Sequence, residues 1–209
     1  MKKLPFKSAF IKGPDGRVGF TITDPLQVFE AFDYAETKPE IHTIVIDTLT
    51  FLMDMFETQY VIGSKNTMEG WSQYAQFFKK LMSHYAAKST KNVIILAHVS
   101  DVLNESEMTL DTLVKVKGSV MNQGVEAMFS HVISTKKIPV KKLKEYPNDL
   151  LTITEEEELL TYKHVFQTRI TKDTINERIR SSDSMWSIKE TYINNDCQLV
   201  LDRLHEYYN

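Results

Sequence analysis

The chain has 209 residues, of which 42% are hydrophobic and 25% charged, a composition typical of a soluble globular protein. Its formal net charge of −3 excludes a uniformly basic surface, so any contact with nucleic acid must come from a local patch. The single cysteine, Cys197, excludes an internal disulfide, and no segment approaches the roughly 18 apolar residues of a membrane-spanning helix. We therefore expect a cytosolic protein with no membrane contact, folded as one domain over residues 1–209.

The N-terminal stretch predicts a β-hairpin over residues 1–23. Residues 4–12 and 17–23 alternate loosely between apolar and polar side chains, as half-buried strands do. Between them lies Gly13-Pro14-Asp15-Gly16, where proline presets a turn dihedral and glycine accepts a positive φ.

Two apolar runs predict buried strands of a parallel sheet. Thr43–Ile46 is followed by Asp47, and Asn92–Ala97 is followed by His98. Continuous apolar runs are typical of strands covered on both faces. Helical spacing before, between and after these runs indicates an α/β fold with a parallel sheet flanked by helices. Because ligands bind at the carboxyl ends of parallel strands, Asp47 and His98 are candidate site residues.

The C-terminal half predicts two antiparallel strands, over 131–138 and 163–168. Residues 139–160 form an insertion between them that is first rich in lysine and then acidic. Residues 101–112 are polar and acidic and predict a flexible excursion, and residues 198–208 predict a terminal amphipathic helix.

Asp47 has two interpretations. An aspartate directly after a buried strand is the pattern that holds magnesium beside the phosphates in P-loop nucleotidases. Alternatively, Asp47 or Thr48 caps the helix that follows. His98 either reads the γ-phosphate or is a satisfied strand-end histidine. Lys115 and Lys117 share one face of an extended segment, and they either reach a phosphate across a subunit boundary or lie on a solvated strand.

The glycine-rich phosphate loop is missing. The pattern G-x-x-x-x-G-K-S/T lets backbone amides wrap the phosphates, and none of the seven glycines precedes lysine and then serine or threonine. Ala86–Thr90 (AAKST) has the ending of the pattern without a glycine. It also lies between a predicted helix and a predicted strand, which is the wrong order for a phosphate loop.

Several segments follow one another along the chain: IVIDTLT, a helix bearing Trp and Tyr, NVIILAH, KVKGSV, a strand pair, and the late stretch TYKHVFQTRI with NERIRSSDSMW. In this order they resemble the RecA-like ATPase domain. More specifically, they look like the bacteriophage RecA-like nucleotide-binding proteins of single-strand annealing and recombination, over roughly residues 40 to 209. The resemblance implies a RecA-like P-loop NTPase core with C-terminal antiparallel strands, and the host cytoplasm as its location.

The resemblance also implies a site. Asp47 matches the Walker B aspartate, a catalytic residue and magnesium ligand, with Thr48 beside it at the nucleotide. His98 matches the polar sensor that ends the next strand. Lys115 and Lys117 look like the lysines that approach a neighbour's nucleotide. ATP and Mg²⁺ are the implied cofactors, and an oligomer on single-stranded DNA is the implied assembly. Five lysines would then supply a stripe for DNA phosphates, or else form a solvated loop that offsets Glu155–Glu158: Lys136, Lys137, Lys141, Lys142 and Lys144.

The departure from this family is the absent N-terminal strand, P-loop and first helix. The acidic residue that activates water after the next strand is also not recognisable. The chain is then half of a split ATPase completed by a P-loop-bearing partner, a degenerate relative whose residues 4–23 patch the sheet, or a truncated product. The degenerate relative would be a non-catalytic interaction or inhibitor module. A metal hydrolase of another kind is disfavoured, because the six histidines show no H-x-x-H spacing.

Overall fold

The computed structural model describes residues 10–12, 18–20, 22–106 and 108–209. Two units are distinguished by their internal contacts: residues 1–100 with 114–125, and residues 101–113 with 126–209. One domain over residues 1–209 therefore stays a prediction, and each unit is described by itself.

The described residues of the first unit include two strand pairs. Strands β1 (Phe10–Lys12) and β2 (Val18–Phe20) are antiparallel, with Phe10 opposite Phe20. The turn predicted at residues 13–16 lies outside the described residues. Strands β3 (Thr43–Ile46) and β4 (Asn92–Ile95) are parallel in a register that aligns their first and last residues.

Two details of this parallel pair differ from the sequence expectation. β4 ends at Ile95 rather than Ala97, because the Leu96 carbonyl turns to accept a hydrogen bond from the Leu49 amide at 2.8 Å. The expectation that β3 is covered on both faces is wrong for the described residues, since Val45 is 55% exposed. An apolar β-branched run is therefore compatible here with one open face.

The described residues of the first unit also form four α-helices. Two of them continue into single π-helical turns, at Glu57–Val61 and Leu81–Tyr85. The helices are α1 (Gln27–Glu36), α2 (Leu49–Phe56), α3 (Thr67–Lys80) and α4 (Gly118–Gln123).

Aromatic side chains join α1, α2 and α3 into the core of the first unit. Phe77 of α3 stacks on Phe56 of α2 at 4.6 Å between ring centroids, and it contacts Phe29 of α1 at 5.4 Å. All three rings are buried. Burial of about 150–250 Å² per aromatic side chain makes this cluster a main source of the unit's stability.

A carboxylate ties the end of α1 to the segment before β4. Glu36 accepts hydrogen bonds from the hydroxyls of Ser89 and Thr90, at 2.5 and 2.6 Å, and from the Thr90 amide at 3.1 Å. The Ser89 and Thr90 hydrogen bonds hold the pKa of Glu36 below its ordinary value of 4.5. Both hydroxyls of the AAKST segment are thus engaged in hydrogen bonds to Glu36.

We expect Glu36→Gln to lower the free energy of unfolding by about 1 kcal/mol near pH 7. The effect is small because Glu36 is exposed and solvent screens its charge. A depressed carboxyl pKa stabilises the fold above the unfolded-state pKa, and that contribution is lost as pH falls through the folded pKa. Urea unfolding at several pH values should therefore show the two curves converging in acid. Glu40→Gln, at an exposed position near the same helix end, is the control and should match the wild type. An equal loss at neutral and acid pH would contradict this assignment.

The second unit is built on a three-stranded antiparallel sheet. Its order is β7 (Ser134–Pro139), β8 (Tyr162–Gln167) and β9 (Tyr192–Asn194), with Ser134 opposite Gln167. The predicted antiparallel pair is thus present, with its first strand beginning three residues later than expected. The loop between β7 and β8 holds α5 (Val140–Leu143) and α6 (Glu155–Leu160), and α7 (Cys197–Tyr208) ends the chain.

The prediction that residues 101–112 form a flexible excursion is wrong, because most of these residues lie in two paired strands. β5 (Val99–Asn104) and β6 (Thr109–Val114) pair with each other, and Thr112 donates to Asp101 at 2.7 Å. Exposed and half-buried residues alternate along β5. The alternation has the period of a strand, but the exposed positions include the apolar Val99 and Leu103, whereas the polar Ser100 and Asn104 are half-buried. Hydropathy therefore does not follow burial along β5, and an apolar–polar alternation cannot reveal the strand.

The core of the second unit lies against the sheet. Trp186, Met185 and Ile193 form one buried cluster, and Leu143, Val165 and Tyr192 form another. Across the described residues of both units, no helix has the length and apolar character needed to span a bilayer.

Candidate functional site

Asp47 follows β3 at the carboxyl end of the parallel pair. The capping role falls to Thr48, whose hydroxyl accepts a hydrogen bond from the Phe51 amide at 3.3 Å at the start of α2. Asp47 itself is exposed, and no hydrogen bond or ion pair engages its carboxylate within the described ranges. The Asp47–Thr48 peptide bond is cis. Because capping is performed by its neighbour, the carboxylate is left available for a ligand.

His98 lies near the first turn of the same helix. Its amide donates to the hydroxyl of Thr50 at 3.1 Å, and its ring meets Phe51 edge to face at 5.1 Å between centroids. Thr50 is 2% exposed, so this hydrogen bond is made with a side chain held in the core. The His98 side chain is exposed. Asp47 and His98 are therefore gathered at one edge of the β3–β4 pair, as their strand-end positions predict.

Thr50 is a positioning residue that the sequence reasoning missed. Thr50 is buried together with the apolar residues of α2, so the sequence pattern indicates a packing role in the core rather than a role at the site. Its spacing from Asp47, three residues, offered a signal, because it places Thr50 in the first turn of the helix that follows the candidate site.

Lys115 belongs to the same edge through its backbone. Its amide donates to the His98 carbonyl at 2.8 Å. Lys115 and Lys117 are both exposed, with Val116 buried between them, as expected for an extended segment with two faces.

Lys117 is engaged by acids of the first unit. Its ammonium lies 2.5 Å from the Glu57 carboxylate and 3.8 Å from that of Asp54. The hydrogen bond to Glu57 raises the pKa of Lys117. Its amide also donates to the hydroxyl of the buried Tyr74 at 3.2 Å. The Lys117 ammonium is thus paired with Glu57 of the same unit, whereas the Lys115 ammonium forms no ion pair with any residue that the structure describes.

The donor set suits a magnesium ion carried by a nucleotide. Mg²⁺ in phosphate-transfer sites takes one or two carboxylates and fills its octahedral shell with phosphate oxygens and water. Asp47 supplies one exposed carboxylate. In the described part of the chain, no three His, Cys, Asp or Glu side chains are grouped so as to hold a metal by themselves. The site therefore fits Mg²⁺ bound with phosphates better than a metal centre built from protein ligands alone.

The five lysines predicted to bind DNA do not form one stripe. Lys136 and Lys137 are adjacent on β7, so their side chains leave opposite faces of the strand. Lys136 pairs with Glu177, and the Lys137 ammonium lies 3.7 Å from the Tyr162 ring centroid.

The remaining three lysines lie on or beside α5. Lys142 pairs with Asp173 at 2.7 Å and Lys144 with Glu158 at 2.7 Å, while Lys141 is exposed. The DNA assignment stays a prediction, and these positions divide it between separate surfaces.

The geometry thus defines a class: a mixed α/β protein with a free carboxylate and basic groups at the carboxyl edge of a parallel strand pair. The family model described as "AAA domain" matches residues 6–174, and the chain belongs to this P-loop NTPase-like family. An AAA-type domain indicates a nucleotide-binding, ATPase-like function, and the family generally uses ATP and Mg²⁺. No curated protein and no solved structure matches the chain.

Proposed function

We propose that the chain is the C-terminal part of a phage RecA-like DNA recombination or annealing ATPase, completed by a P-loop from a partner chain or neighbouring subunit. The single observation that carries the proposal is the Asp47 carboxylate. It stands exposed at the edge where α/β domains bind ligands, and Thr48 has taken over the helix cap. The amino-acid sequence contains no G-x-x-x-x-G-K-S/T loop that would bring phosphates to it.

Each residue of the edge receives a role in this proposal. Asp47 would hold a magnesium ion bound with the nucleotide, which would supply positive charge to its phosphates. His98 faces the nucleotide as the sensor, and the Thr50 hydroxyl keeps its backbone in place. Lys115 supplies positive charge to a phosphate. Lys117 does the same only when it leaves Glu57, so its ion pair acts against this role.

The alternative is a non-catalytic relative that binds or inhibits another protein. The engaged Lys117 favours this alternative, since a lysine held by two acids is not presented to a phosphate. The occurrence of Asp47, His98 and Lys115 beside the same strand pair favours the ATPase, because a binding module does not need these residues together.

The proposal is tested by purifying the chain mildly from the cells that naturally express it, followed by mass photometry and ATP turnover. We expect a second polypeptide with a P-loop to copurify, and the mixture to hydrolyse ATP while the isolated chain does not. A chain that comes alone, or with an unrelated protein, and is inert would overturn the ATPase assignment in favour of the binding module. Turnover by the isolated chain that is lost in Asp47→Ala would overturn the need for a P-loop partner.

A further inference from the structure

A groove of about 650 Å³ opens in the second unit, between α5 and the segment after β8. Four cationic residues line it, and the only acids in its lining are Glu145 and Asp173. The cations come from two parts of the sequence: Lys141, Lys142, Arg169 and Lys172. In a chain whose net charge is −3, this groove gathers positive charge at one place.

The cations of the groove differ in whether an acidic side chain pairs with them. Lys142 is paired with Asp173, and that hydrogen bond raises the pKa of Lys142. Arg169 donates to the Trp186 carbonyl at 2.6 Å, which fixes its guanidinium without neutralising its charge. Lys141 and Lys172 are exposed and form no ion pair among the residues described. Three cations therefore remain uncompensated by an ion pair, beside one further acid, Glu145.

The lining is also apolar along part of its length. Ile170 and Ile188 are exposed large hydrophobic residues at the groove, and the half-buried Tyr146 adds an aromatic ring. Inorganic phosphate has no apolar part that could pack against this surface. Proteins that hold single-stranded nucleic acid combine a cationic track for the phosphates with aromatic and apolar surface for the bases.

We propose that this groove binds the sugar–phosphate backbone of single-stranded DNA, with Lys141, Arg169 and Lys172 as the phosphate contacts. The choice of DNA rests on the proposed function, whereas the charge and apolar lining of the groove define a site for a phosphate-bearing strand. The site is narrower than the five-lysine stripe, since it excludes Lys136, Lys137 and Lys144. It adds two residues from a distant part of the sequence, Arg169 and Lys172.

The test is fluorescence anisotropy of the full chain with a labelled oligo-dT of about 20 nucleotides, longer than the roughly 4–16 nucleotides that one single-strand-binding fold covers. The variant is Lys141→Gln with Lys172→Gln, two exposed positions whose neutralisation leaves the core untouched. We expect roughly tenfold weaker binding, and a slope of log Kd against log salt that is smaller by ~1.4, at ~0.7 per lost contact to a single strand.

Two further variants make the result specific. Lys65→Gln with Lys79→Gln removes the same two charges from exposed positions of the first unit and should bind as the wild type does. Lys141→Arg with Lys172→Arg keeps both charges and should also preserve binding. Unchanged affinity in the double glutamine variant would overturn the proposal.

Competition separates the other occupants. Displacement by inorganic phosphate at the same total phosphate concentration would show a free-phosphate site, and displacement by polyglutamate at equal charge would show a site for acidic peptides. Either result would overturn the proposal, whereas poor competition by both supports it. The assay contains no ATP and no partner, so its failure is distinguishable from failure of the ATPase assignment, which is read from turnover.

Discussion

Asp47→Ala is expected to reduce ATP turnover of the chain with the proposed P-loop-bearing partner by about 100-fold or more, equivalent to roughly 2.7 kcal/mol of transition-state stabilisation. The reason is that Asp47 supplies an exposed, unpaired carboxylate at the edge where the proposed function places a nucleotide-borne Mg²⁺. The measurement is steady-state turnover at saturating ATP and Mg²⁺. The free energy of unfolding should change by less than about 0.5 kcal/mol, because the carboxylate is exposed.

Asp33→Ala is the matched control for this experiment. Asp33 is an exposed aspartate on α1, and its removal makes the same chemical change away from the β3–β4 edge. Turnover should remain at the wild-type rate. If Asp33→Ala and Asp47→Ala reduce turnover equally, the loss comes from net charge rather than from a site at Asp47. If neither variant reduces turnover, Asp47 has no part in catalysis.

In contrast to Asp47→Ala, which should leave stability nearly unchanged, Leu49→Ala is expected to lower the free energy of unfolding by about 2–5 kcal/mol. Leu49 is two residues from Asp47 but 0% exposed, and its amide donates to the Leu96 carbonyl, which joins α2 to the end of β4. Truncation removes buried apolar surface and leaves a cavity beneath the candidate site. Urea unfolding followed by circular dichroism measures the effect.

Met68→Ala gives the comparison for the stability measurement. Met68 lies in the first turn of α3 with 84% of its surface exposed, so its truncation should cost less than about 0.5 kcal/mol. A Leu49→Ala loss no larger than that of Met68→Ala would mean that Leu49 does not hold α2 against the strands. The pair separates the packing beneath the site from the chemistry at its surface.

The two strands of the parallel pair show how far local pattern reaches. The apolar runs predict both strands and place Asp47 and His98 after their carboxyl ends, because strand preference is a property of neighbouring residues. The same reasoning fails at residues 101–112, because Leu103 and Leu110 are exposed and Asn104 is half-buried, so hydropathy does not follow burial along β5 and β6. It also overestimates the cover on β3, because the amino acids of a strand do not state what packs against each face.

The sequence by itself determined the α/β character of the chain, the positions of Asp47 and His98 after apolar runs, and the threonine available to cap α2. These are properties of neighbouring residues, governed by backbone preference and side-chain period. Only the tertiary structure decided which charges are free. Lys117 meets Glu57 across 60 positions, and Lys142 meets Asp173 across 31. An ion pair depends on where the folded backbone places two distant side chains, and no local pattern carries that information.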